Sequence, residues 1–454
     1  MRALKLFAVA IATVAIGACA LDLQNPNAPT EVQVTTSADG IIALATGLQS
    51  RFAVSYGNFA YTSGLVTDEF ASVTAALISI SDAEQGAVAP GTGIADAVFN
   101  SAYRTIRTAD DLLVGSDALS SSLDAGTRSG LRALAFALKA ESLGEVLQSY
   151  QKIPINTFGV TSPTYVTRSE ALPAIRALLD SAATTIATTP TSAFFNANIL
   201  TPGVSLPNMI QIFRARYARM AGDQATALSA ANLVARTGPA ALSQLTFPAP
   251  SVNPFSNVTG GTNGVAPRRQ WRLSMLPTDQ RFSYFVAPST TAVGRIGALL
   301  DLWSRNANAQ SPFAVYFPDE ALLIKAEALV VQGQLPAAQA ALDSVRTDCI
   351  GGRGIDDPKA CLAPLMSQLN ATDLLTEIYV QRKYELFGTG LRWEDVRRRN
   401  AIRGPVAAPL APVDGQRCWL PYAFGDRNAN SNATVALLPD PSEPSMFPSG
   451  CIVQ

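Results

Sequence analysis

The stretch KYELFGTGLRWEDVRRR, residues 383–399, gathers the side chains most capable of chemistry. Glu385, Glu394 and Asp395 are carboxylates of the kind a general acid–base pair uses. Arg392 and Arg397 to Arg399 supply guanidiniums, with Tyr384, Phe387 and Trp393 among them. Basic residues interleaved with aromatics also suit a nucleic-acid patch. A third reading is structural, with planar guanidinium forks tying carboxylates at the end of a helix. Composition separates the three. The chain has 454 residues, 34 of them basic and 35 acidic, for a formal net charge of −1. A chain so balanced lacks the basic face that nucleic acid requires, so no nucleic-acid partner is expected. There is no histidine. That removes Ser-His-Asp and Cys-His nucleophile pairs, His-ligated zinc and facial-triad iron. The ordinary base near neutral pH is missing too. The chain reads as a binder, with no enzyme activity, catalytic residue, metal or cofactor expected. Glu385 paired with Glu394 or Asp395 is the catalytic alternative.

The structural reading needs elements that hold these side chains together. Residues 377–387 predict a helix with Val380, Tyr384 and Phe387 on one stripe. Arg382 and Glu385 stand at i, i+3. Gly388 and Gly390 permit the reversal that stops the helix, and Leu391 to Arg398 predict a second short one. Arg392 and Arg398 are expected to fork onto Glu385 and Asp395. With Arg382 and Trp393 they would form a knot fastening the C-terminal region to the rest.

Upstream, helical periodicity dominates. It predicts helices over 37–55, 94–114, 126–149 and 169–186, and two pairs over 207–220 with 223–236 and 318–332 with 335–347. The segments NMIQIFRARYARMAGDQATALSAANLV and EALLIKAEALVVQGQLPAAQAALDSVR align, each with a Gly between two Ala-rich helices. That is a tetratricopeptide layout, in which small residues let paired helices pack closely. The expected fold is mainly α, a tetratricopeptide-like scaffold of helical pairs with long irregular loop insertions. Such pairs need neighbours, so 37–454 is expected to be a single domain. The insertions fall at about 238–316 and 400–454, where Pro, Gly and Asn cluster. Within the first, WRLSML and RFSYFV alternate as hairpin strands would.

The N-terminus MRALKLFAVAIATVAIGACA has a basic start, an apolar run and small residues before Cys19. It resembles a bacterial lipobox, implying a signal peptide over 1–18, diacylation of Cys19 and a lipidated tether over 19–36. Two acyl chains would anchor the protein stably to a membrane. Four other cysteines follow, and export favours pairing. Cys349 with Cys361 is preferred for its short loop, leaving Cys418 with Cys451, though three pairings are open.

Four segments together resemble the SusD/RagB family of outer-membrane nutrient-binding lipoproteins. They are the lipobox with Leu21 to Asn27, LRALAFALKAESLGEVLQSYQKIPI, FPDEALLIKAEALVVQGQLPAAQAALDSVR and EIYVQRKYELFGTGLRWEDVRRR. The last carries Arg382, Glu385, Gly390, Arg392, Trp393, Asp395 and Arg398. It departs from the family at 387–391, where an aromatic, Glu-Gly-His run is usual. The resemblance implies a lipid-anchored, cell-surface protein of the bacterial outer membrane. Such a protein captures an oligosaccharide or other nutrient and works with a SusC-like TonB-dependent transporter. The alternative is a tetratricopeptide-type envelope adaptor. Sugars present apolar C–H faces and polar edges, which call for aromatic platforms with Asn and Arg beside them. The regions where the family places its platforms offer Trp271, Trp303, Arg305 and Asn306 in the first insertion. They also offer Tyr61 in YGNFAYTSGLVTDEF, expected as a loop with Tyr56, Phe59, Asp68 and Glu69.

Overall fold

Small residues set how closely the helices of this protein approach. The computed structural model describes residues 35–73, 78–86, 88, 91, 93–247, 252–255, 264–305, 309–349, 355–399 and 418–432. Cys19, the signal peptide and the tether up to residue 34 lie outside them, as do Asn306 and Cys451. Helix α1 (Ala38–Val66) starts where the Ser37 hydroxyl accepts the Gly40 N–H. It runs through YGNFAYTSGLV, so the loop expected there is the second half of a helix. Gly64 does not break it. A Cβ at Gly64 would lie 2.2 Å from the Phe70 ring, so the glycine marks a close approach rather than a turn. Then come β1 (Phe70–Ser72), α2 (Ile78–Glu84), α3 (Gly93–Ala118) and α4 (Ala125–Ser149). The pair β2 (Ile153–Pro154) and β3 (Tyr165–Val166) leads to α5 (Arg168–Thr188), opened by a capping box of Thr167 and Glu170.

Helix α6 (Ala193–Asn198) precedes the pair α7 (Leu206–Met220) and α8 (Gln224–Asn232). The first insertion holds β4 (Ser243–Leu245), β5 (Val265–Pro267), α9 (Arg269–Leu273), α10 (Arg281–Phe285), β6 (Val286–Ala287), β7 (Leu302–Trp303) and β8 (Phe313–Tyr316). The second helical pair is α11 (Pro318–Val331) and α12 (Leu335–Arg346). The chain closes with α13 (Ala371–Glu385), α14 (Arg392–Arg398) and α15 (Phe424–Ala429). The mainly helical fold expected from periodicity is the one observed.

The helices stack as a continuous series. α1 packs on α3 and α4, α4 on α5 and α7, α7 on α8 and α11, and α11 on α12 and α13. The approach of α4 to α7 rests on Gly144, where a Cβ would stand 1.6 Å from the Tyr217 hydroxyl. Leu323, Ala326, Leu342, Val345, Leu374 and Ile378 form a separate core between α11, α12 and α13. Among the described residues the strands form four antiparallel pairs, β1 with β5, β2 with β3, β4 with β8 and β6 with β7. WRLSML and RFSYFV do not form the expected hairpin. Each contributes a five-residue helix, α9 and α10, and β6 pairs instead with β7, Val286 opposite Trp303. Their aromatics belong to one buried cluster, in which Trp271 meets Phe285 edge-on, and that packing outweighs the alternation. Cys349 and Cys361 are disulfide-bonded, with Cα atoms 4.5 Å apart. Cys418 is also disulfide-bonded.

Buried guanidiniums sew the stack together. Arg216 of α7 is 0% exposed. It donates to Glu141 of α4 at 2.5 Å and, through both arms of its fork, to Glu320 of α11 at 2.8 and 2.9 Å. Arg219, one turn on, reaches Glu327 at 3.2 Å and Asp395 at 3.1 Å. The 383–399 cluster joins here, with partners only partly those expected. Asp395 takes Arg382 at 2.6 Å as well as Arg219. Arg398 lies 3.8 Å from Asp395, as expected, and also bonds Glu327, while Glu385 faces Arg281 of α10 at 3.5 Å. Arg392 lays its guanidinium 4.8 Å over the Tyr379 ring and forks onto neither Glu385 nor Asp395. Trp393 is buried. The Arg397 guanidinium lies over it and over Trp419, and donates to the carbonyls of Gln148 and Cys418. Arg216→Met strands two carboxylates in the core and should lower unfolding stability by about 3–5 kcal/mol. Urea denaturation would register it as a lower midpoint with unchanged slope, and neutralising Glu141 and Glu320 as well should restore part of the loss.

Candidate functional site

Where the first insertion returns to the helical frame, a narrow pocket opens. Its rim carries half-buried Trp303 of β7, half-buried Tyr284 of α10 and Arg305. Its floor is Phe313, Phe317 and Phe387. The β6–β7 pairing sets Trp303 beside Val286, two residues from Tyr284. The indole Nε1 donates to the Val265 carbonyl at 3.0 Å, which locks the ring with its edge satisfied. Phe70 meets Trp303 edge-on at 5.0 Å and Phe387 at 5.4 Å. The Arg305 guanidinium lies 3.8 Å over the Tyr284 ring and is paired with Asp356. The Tyr284 hydroxyl donates to the Asp356 carbonyl at 3.1 Å. Gln244 of β4 brings an amide to the wall, and Gly388 and Thr389 complete it. Rigid aromatic faces with a guanidinium and an amide at the edge suit a ligand with apolar faces and polar rims.

The candidate residues divide. Trp303 and Arg305 come together at this pocket. Trp271 does not. It is 3% exposed, stacked 3.8 Å on Phe387, and its Nε1 donates to the Lys383 carbonyl. It is a core side chain that supports the floor from behind. Tyr61 stands on α1, half-buried and edge-on to Phe255 at 6.4 Å, which in turn meets Trp303 at 5.8 Å. It is one ring removed from the pocket. Tyr56 is buried and donates to the Val315 carbonyl. Tyr284, Gln244 and Phe317 escaped sequence reasoning. They lie in three separate segments, and Tyr284 sat in a run whose alternation suggested a strand.

The carboxylates of the 383–399 cluster are tied up as anions. Burial would raise the Glu394 carboxyl, but Arg168 at 2.5 Å and Arg397 at 3.1 Å hold it down at about 2. Arg382 and Arg219 hold Asp395 well below the usual carboxylate range against its own burial. A general acid needs the opposite shift, so these groups read as fasteners. Glu69 differs. Burial pushes its carboxyl up to about 8, against the opposing pull of Arg392 and Lys383. It accepts the Gly388 N–H at 3.4 Å, behind the wall of the pocket. Burial and Arg392 together depress the Lys383 ammonium to about 8.

The SusD family model matches residues 304–417, from the edge of the pocket through α14. A SusD superfamily protein from Bacteroides thetaiotaomicron has the same fold, with a TM-score of 0.66 at 15% identity over 86% of this chain and 98% of that one. Over residues 304–417 the chain matches the SusD family, and its fold is that of SusD superfamily structures. Two further SusD-fold relatives carry names that state what they bind. A SusD-like carbohydrate binding protein from Bacteroides vulgatus aligns over 80% of this chain and 84% of its own, at 16% identity and a TM-score of 0.62. Surface glycan-binding protein A from Bacteroides uniformis aligns over 84% and 97%, at 14% identity and a TM-score of 0.63. No curated protein sequence matches. The matched segment holds Arg382, Asp395 and Trp393, all of them buried.

Glu69 has a signature in pH. Unfolded, it ionises in the ordinary carboxylate range, near 4.3, whereas folded it keeps its proton to about 8. Its contribution to stability is therefore full at acid pH and declines as pH rises through that window. Lys383 is charged in both states below about 8, so it adds no slope there. Chemical denaturation of Glu69→Gln at a series of pH values should show a shallower decline than the parent between about pH 5 and 8.

Proposed function

We propose that this protein is a glycan-binding lipoprotein of the bacterial outer-membrane surface. It captures an oligosaccharide in the Trp303 pocket and passes it to a SusC-like TonB-dependent transporter. The observation that carries the reading is the aromatic rim of Trp303 and Tyr284, with Arg305 stacked across it. The names of the relatives from Bacteroides vulgatus and Bacteroides uniformis support a carbohydrate as the ligand class. A sugar ring lies with its C–H face on the indole, and its hydroxyls meet the Gln244 amide and the guanidinium edge. The protein's task is binding, not turnover, because the carboxylates that would catalyse glycoside cleavage are held as anions by arginines.

Among the described residues no helix is long and apolar enough to cross a membrane. In this reading the membrane attachment is made by acyl chains on Cys19. Trp303→Ala should weaken binding of the glycan found on a glycan array by about tenfold or more, with the helical circular-dichroism spectrum unchanged. Undiminished binding by that variant would remove the pocket from the proposal. Cys19→Ser should move the protein from the membrane to the soluble fraction of the native host.

A further inference from the structure

A second concavity, a wider open cleft, lies apart from the Trp303 pocket. It runs along α3, with α1 on one side and the loop between β2 and β3 on the other. Its floor is the half-buried Tyr103 ring, backed by the buried Phe99 ring with centroids 4.4 Å apart. The Tyr103 hydroxyl donates to the Pro154 carbonyl at 2.7 Å and so ties the loop to the helix. Phe158 on that loop is 43% exposed and sits under the Arg107 guanidinium at 4.8 Å.

The charges are uneven. Three guanidiniums line the cleft, from Arg51, Arg104 and Arg107. Arg107 is paired with Asp111 on its own helix at 3.0 Å. Asp426, the other carboxylate of the lining, accepts the Tyr165 hydroxyl. Arg51 and Arg104 are exposed, and among the described residues no carboxylate pairs with either. Exposed arginines on a convex face are ordinarily just solvated. Here two converge on a concave surface floored by an aromatic ring, where low-dielectric walls concentrate their field. Each fork matches a carboxylate in two parallel bonds, and the Tyr103 ring matches a sugar face. A free inorganic anion would use the forks and leave the ring idle.

We propose that this cleft is a second saccharide subsite, selective for uronate-bearing sugars, with Arg51 and Arg104 as its carboxylate clamps. It rests on the glycan-binding reading of the chain but not on the Trp303 pocket. The test is calorimetric titration of the full mature chain with tetragalacturonate, and with cellotetraose as the neutral probe. Tetragalacturonate should bind, more weakly as salt rises. The Arg51→Ala, Arg104→Ala double variant should lose about tenfold or more of that affinity, the weight of one charge-assisted contact. Trp303→Ala should keep the Arg-dependent binding. No binding of tetragalacturonate by the parent protein overturns the proposal. So does unchanged affinity in the double variant, or displacement by inorganic phosphate at equal concentration. Loss of all saccharide binding in Trp303→Ala alone would also overturn it while leaving the Trp303 pocket standing. Arg-dependent binding that persists beside an inert Trp303 pocket would do the reverse.

Discussion

Arg216 has no contact with water, and neither have the carboxylates of Glu141 and Glu320 that face it. A charge taken so far from solvent is tolerable only while its partners stand in place. Those partners come from α4 and α11, with Arg216 itself on α7, so the three helices can be assembled in one arrangement only. Arg219, Arg382, Glu327 and Asp395 repeat the device one turn further along and bring in α13 and α14. Apolar packing supplies the driving force for the stack. The buried ion pairs choose its register, since a slip of one residue would leave several charges unpaired.

That rigidity is what a binding surface made of insertions requires. The pocket takes Trp303 and Tyr284 from one insertion, Gln244 from its start and Phe387 from the turn after α13. None of these segments is a long regular element. They hold position because Trp271, Phe285 and Phe387 pack behind them and because Arg281 ties the insertion to Glu385. The arginine cluster of 383–399 stands behind the pocket, since none of its guanidiniums lines it.

The carboxylates near the C-terminal helices obey the same constraint. Carboxylates are plentiful near the C-terminal helices, yet Glu394 and Asp395 are stabilised as anions in the interior. A proton donor would need a carboxyl raised toward neutrality. Glu69 is raised in that way, but it sits behind the wall, spent on the Gly388 N–H. What the surface offers a ligand is shape, rings and a few polar edges.

The helical pairs were legible in the sequence because a helix is a local object. Its period, its cap at Ser37 and the Gly between paired helices all lie within a few residues of the structure they cause. The short Cys349–Cys361 loop was legible for the same reason, since closing it costs little chain entropy. Partnerships were not. Arg216 meets Glu320 across 104 residues, Arg392 lies over Tyr379 rather than the acids expected, and Arg398 reaches Glu327 besides the expected Asp395. Trp271 and Trp303 look alike in sequence, two tryptophans in a polar insertion. Only the packing of Phe387 against one and the opening of a cavity beside the other made the first a core residue and the second a candidate ligand platform. Composition and period determine what each segment can become. Which side chains are left facing water is decided when segments far apart in the chain compete for the same interior.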